Sequence, residues 1–164
     1  MYIPFNQLPD SSKVWVYQSE KKLTESQIEI ISRHLKSFCE QWLVHGAPLG
    51  TSFDIRYDVF VVLAANDAAS GCSIDTSVRV MKELGQTLGL DFFNRTKIAF
   101  LVESQVAFIP LNEIRQQADL GKISSQTHFF NNAVSTLKEL KNGWLVSAGS
   151  SWLKKYFPSE SLTQ

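Results

Sequence analysis

Seven consecutive residues, Val59 to Ala65, carry no polar side chain, and a short run of this kind reads as a strand at the centre of a sheet, covered on both faces. The arm before it alternates, with Phe53, Ile55 and Tyr57 set against Asp54 and Arg56, so the two form a hairpin that reverses near Asp58. The cover must come from amphipathic helices. The clearest lies just upstream: Thr24 caps it, Gln27 completes a capping box, Leu23 can staple onto Ile28, and Ile28, Ile31, Leu35, Phe38, Cys39 and Trp42 form one apolar stripe. Gly46 and Pro48 are its expected stop. A second stripe, Ile74, Val78, Met81, Leu84 and Leu88, starts near Ser73 and closes at Gly89.

A further strand, Val14 to Gln18, precedes the first helix, and Lys97 to Glu103 with Gln105 to Ile109 makes a second hairpin turning at Glu103 and Ser104. The order strand, helix, strand, strand, helix, strand, strand predicts an α+β fold with the split β-α-β core of ferredoxin-like proteins, an extra hairpin strand, and both helices on one face of the sheet. From Pro110 on, the chain predicts a short helix capped by Asn112, a helix within His128 to Asn142 ended by Gly143, and an amphipathic end, SSWLKKYF. Trp144, Trp152 and Phe157 lead the expectation that residues 110–164 form an aromatic helical extension packed on the core or joining two subunits. No repeat or linker divides the chain, so residues 1–164 read as a single domain.

Sixteen basic residues balance sixteen acidic ones among the 164, which removes any general attraction to nucleic acid or to anionic lipid. Trp15, Tyr17, Phe100 and Phe108 on strands are accounted for by core packing, because the glycine-bearing aromatic motif of RNA-recognition sheets is absent. No leader pattern and no bilayer-length apolar run occur, and the only two cysteines, Cys39 and Cys72, differ in context. The expectation is a cytoplasmic chain with free thiols. With three histidines and no metal-ligand spacing, neither a metal site nor any cofactor is expected.

The sharpest chemical hint is the segment Ser70-Gly71-Cys72-Ser73-Ile74-Asp75, leading a strand into a helix. Amides at that position can seat an anion or a thiolate, and the split β-α-β arrangement brings His45, at the end of the first helix, toward Cys72, with Arg56 and Tyr57 as further ligand contacts. The plainer alternative has Ser73 or Asp75 capping the helix, Gly71 making the turn, Cys72 filling a gap and His45 capping a helix end. Asp75 beside the thiol would raise its pKa, against activation.

MYIPFNQLPD, HGAPLGTSFDIRYDVFVVLA, SGCSIDTSV and THFFNNAVSTLKEL, spread over nearly the whole chain, resemble a group of small Bacteroidetes proteins that often carry the label "ABC transporter ATPase". The label implies a phosphate loop, and there is none here. The one Gly-Lys pair, Gly121-Lys122, has Gln116 where the first glycine belongs and Ile123 where Ser or Thr belongs. SGCSI at 70–74 is likewise not LSGGQ, so the resemblance transfers no catalytic residue. Without a complete nucleophile, base and oxyanion set, the chain reads first as a binding or interaction domain, suited to a homodimer or a protein partner. The competing reading is a small thiol-dependent enzyme or ligand sensor using Ser70 to Asp75 with His45. Nucleic-acid binding ranks last.

Overall fold

A computed structural model describes residues 1–44, 47, 48, 50–66 and 71–158, and for 43, 44, 47, 48 and 71–74 the backbone alone. The fold is α+β, built as two compact units: residues 1–94 with 132–142, and residues 95–131 with 143–164.

In the first unit, β1 (Lys13–Gln18) leads through α1 (Glu25–Gln41) and a two-rung hairpin, β2 (Leu43–Val44) and β3 (Ala47–Pro48), to β4 (Thr51–Arg56) and β5 (Phe60–Ala65). The sheet order is β1-β5-β4, antiparallel throughout, with the apolar strand at the centre. Every side chain of β5 is at most 1% exposed, as an uninterrupted run with two covered faces requires. Tyr57 and Asp58 reverse the hairpin with φ of 56° and 54°.

The helix α1 starts as its sequence dictates: Gln27 N–H donates to Thr24 Oγ1 at 3.2 Å and Thr24 N–H donates to Gln27 Oε1 at 2.9 Å. Both otherwise unpaired amides are thereby satisfied. Thr24→Ala should cost about 1 kcal/mol in chemical denaturation; no loss would mean that solvent replaces the cap without penalty. The helix ends earlier than expected, at Gln41, with Trp42 already extended. The reason is packing, since Trp42 is 2% exposed and stacks on Phe38 and Trp15, with ring centroids 4.9 and 5.6 Å away. Gly46 lies outside the described residues.

The second helix, α2 (Gly71–Leu88), ends at Gly89 with φ of 65°, the left-handed stop that glycine tolerates. Ile31 and Leu35 of α1 and Val80, Met81 and Leu84 of α2 share one core with Tyr17, Val61 and Leu63. Both helices therefore lie on one face of the sheet.

Strand order β1-β5-β4 is that of a split β-α-β unit, but the fourth strand of a ferredoxin-like sheet does not join it. Instead β6 (Lys97–Val102) pairs with β7 (Gln105–Pro110) through a two-residue turn, Glu103 and Ser104 at φ 51° and 65°, and on its other side with β8 (His128–Phe130), which pairs with β9 (Leu145–Ser147). The result is a second sheet, β7-β6-β8-β9.

Residues 110–164 are consequently no single extension. A 3-10 turn, Leu111–Glu113, precedes α3 (Ile114–Asp119) without a side-chain cap, so Asn112 does not serve as one. The segment 128–142 is divided into β8 and α4 (Leu137–Gly143), because Phe129 and His128 are claimed by pairing with Phe100 and Leu101. Toward the end of the described residues the chain forms a 3-10 turn, Trp152–Tyr156, after Ser151, whose hydroxyl accepts from Leu153 N–H. Phe100, Ile109, Ile114, Phe129, Leu153 and Phe157 form the second core.

Candidate functional site

The residues singled out for thiol or anion chemistry do not assemble among the described residues. His45 and Ser70 lie outside them, and for Gly71, Cys72 and Ser73 only the helical backbone is described. The helix begins at Gly71, two residues before the expected start, so Ser73 sits inside the first turn and does not precede it. Asp75 is exposed on α2, and Arg56 is held by its own strand neighbour, donating from Nε to Asp54 Oδ2 at 2.9 Å. Its guanidinium also lies 5.4 Å from the Phe5 ring centroid. Tyr57 stands exposed at the hairpin tip, edge-on to Phe60. These are structural engagements.

Cys39 is a fully buried free thiol, and burial raises its pKa from 9.0 to about 11. A thiolate is therefore suppressed at neutral pH, which makes it an inert core residue. Tyr17 is buried too. Its hydroxyl lies 2.8 Å from Ser77 Oγ, and burial raises its pKa, partly offset by that hydrogen bond.

An open groove of about 420 Å³ runs along the C-terminal half of α2 and the segment after it, lined by Met81, Lys82, Gly85, Leu90, Asp91 and Phe93 among others. Gly85 lets the following segment pack directly against α2: Leu90 N–H donates to Gly85 O at 2.9 Å, and a Cβ on Gly85 would stand 2.6 Å from Leu90 O. Lys82 Nζ lies 5.8 Å from the Phe93 ring centroid, and Phe93 is edge-on to Tyr17. The lining offers no thiol, no hydroxyl and no imidazole. Among the described residues, no group of three His, Cys, Asp or Glu side chains is placed to hold a metal, and no helix is long and apolar enough to cross a membrane.

The feature that sequence reasoning missed lies at the chain's end. Trp144 and Phe157 are buried as expected, but Trp152 is 53% exposed. In a 3-10 turn residues three apart share a side, so Trp152 aligns with the exposed Lys155 while Leu153, 0% exposed, turns inward. The expectation of burial grouped Trp152 with Trp144 and Phe157 as one aromatic segment packed on the core or joining two subunits. The turn lies beside α3, where Arg115 Nη2 donates to Lys155 O at 3.1 Å, and Leu120, directly after α3, is 60% exposed. Arg115, Lys154 and Lys155 are exposed and, among the described residues, have no carboxylate partner. Comparison with family models, with curated proteins and with solved structures found no match to this chain.

Proposed function

We propose that the protein is a cytoplasmic, non-catalytic interaction domain that receives an acidic, partly apolar segment of another protein on the face made by α3 and the turn Trp152–Tyr156. The observation that carries this reading is Trp152, held out in solvent by a turn whose neighbours Leu153 and Phe157 are anchored in the core. Tryptophan and arginine dominate the energetics of protein interfaces, since each offers a large contact area with a polar handle. Here Arg115 donates to the carbonyl of Lys155, three residues along the turn from Trp152, and Lys154 and Lys155 are exposed on that same turn, so an apolar anchor and cations for carboxylates lie on adjoining elements.

The test replaces Trp152 with a photo-crosslinking amino acid in cells and compares it with the same replacement at Glu40, an exposed position on α1. One discrete adduct at 152, absent at 40 and lost when Arg115, Lys154 and Lys155 are changed to Glu, is the expected result. Absence of an adduct, or the same adducts at both positions, would sink the proposal.

A further inference from the structure

Each long edge of the first sheet is guarded. On β4, Thr51 is paired on its outer side by Ile3 N–H and Met1 O, at 2.8 and 2.9 Å, and Asp54 Oδ1 accepts from Ile55 N–H at 2.9 Å. On β1, Val14 N–H donates to Ser135 O and Leu137 N–H to Ser12 O. These are the ordinary devices that stop an exposed edge from recruiting another strand. The second sheet ends on one side in β9, only three residues long. Its other edge is β7, QVAFIP, six residues without a charge.

The pairing of β7 fixes which of its groups point outward. A two-residue turn makes Val102 and Gln105 the closing hydrogen-bonded pair, and Leu111 N–H donates to Thr96 O at 2.7 Å in the same phase. Gln105, Ala107 and Ile109 therefore bond to β6, while Val106 and Phe108 direct N–H and C=O away from the sheet. Among the described residues neither has a hydrogen-bond partner on that side. The turn at 103–104 closes one end of this edge, and Pro110, which has no N–H, closes the other.

We infer that β7 is a self-association edge, pairing antiparallel with β7 of a second copy about a two-fold axis through Ala107. In this register Val106 faces Phe108 of the second copy and Phe108 faces its Val106, so all four outward N–H groups and their carbonyls are bonded. Centring the axis on Val106 places Phe108 against the turn, and centring it on Phe108 places Val106 against Pro110, so each wastes bonding groups. The favoured register also sets a β-branched side chain against an aromatic one twice, a stabilising class of cross-strand pair. An isologous contact of this kind closes as a dimer and leaves only the three-residue β9 at each end of the joined sheet. It uses a different surface from Trp152.

Sedimentation of the full chain should show a dimer that dissociates on dilution. Val106→Pro removes two of the four intermolecular hydrogen bonds without touching the bonds to β6, and should weaken association roughly 30-fold, with circular dichroism reporting an intact fold. Ala107→Cys places two thiols across the axis at a non-hydrogen-bonded pair, where Cα atoms lie about 4.5 Å apart. Mild oxidation should then give a covalent dimer that neither wild type nor Gln105→Cys forms. Trp152→Ala should leave the dimer intact, so this test and that of the partner-binding face fail separately. A monomer up to about 100 μM, well above the affinity of a specific interface, would overturn the inference. So would a dimer indifferent to Val106→Pro and uncrosslinked at 107.

Discussion

A chain ending at Gly143 should not fold its second unit. The deletion removes β9, Ala148, Leu153 and Phe157, of which the last three belong to the core built on Phe100 and Phe129. Truncating Leu153 alone to Ala should cost about 3 kcal/mol, the usual toll of a fully buried leucine. Losing the whole segment takes several such side chains, together with the hydrogen bonds from β9 to β8, and exceeds what a unit of marginal stability can absorb. Binding of a hydrophobic dye and loss of amide protection in β6 and β8 are the expected readouts. Trp152→Ala should by contrast stay within about 0.5 kcal/mol of wild type, because the ring is exposed. Full amide protection in the truncated chain would show that β6, β7 and β8 hold their packing unaided.

The second large effect is alkaline. Cys39 has a folded pKa of about 11 against an ordinary 9.0, the cause being burial on the inner stripe of α1. A raised folded pKa gives stability that is complete below the unfolded value and is lost as pH rises through the folded one. The window is therefore from 9.0 to about 11, and the loss across it is about 3 kcal/mol. Tyr17, shifted upward for the same reason, adds to the decline at its upper end. Denaturant unfolding at about pH 8 and about pH 11 should show a steeper loss for wild type than for Cys39→Ala, the difference measuring the thiol alone. Equal losses in the two proteins would mean that the thiol ionises without unfolding.

Much of the first unit could be read from local rules. The capping box at Thr24 and Gln27, the stop at Gly89 and the apolar strand at 59–65 each follow from chemistry within a few residues, where one physical requirement dominates. The exit of α1 at Trp42 could not be so read, because stacking on Phe38 and on Trp15 from another strand decided it. The partner of β6 was likewise hidden. Its apolar run Ile98 to Val102 announces a strand equally well beside β1 or beside β8, and only long-range pairing chooses. At the candidate site, the burial of Cys39 was legible from its place on a stripe. The exposure of Trp152 was not, since only the seating of Leu153 and Phe157 in the second core decides which side of the turn meets solvent. The thiol reading at Cys72 and His45 rested on the end of one helix meeting the start of another, and His45 falls outside the described residues.

The guarded edge of β1 has a temporal side. Its hydrogen-bond partners come from residues 132–137, and the 37 residues between Asn94 and Asn132 belong wholly to the other unit. On the ribosome, the sheet β1-β5-β4 can therefore form while the strand that begins it still presents bare amides. Synthesis at about 5–20 residues per second leaves that edge open for seconds, long against the microseconds in which hairpins form. Lys13 at the start of β1 is the one charge on the strand during that interval, and a lone lysine is the kind of gatekeeper that delays unwanted pairing. The order in which the two units are threaded thus makes the nascent chain, and not the finished protein, the state most exposed to aggregation.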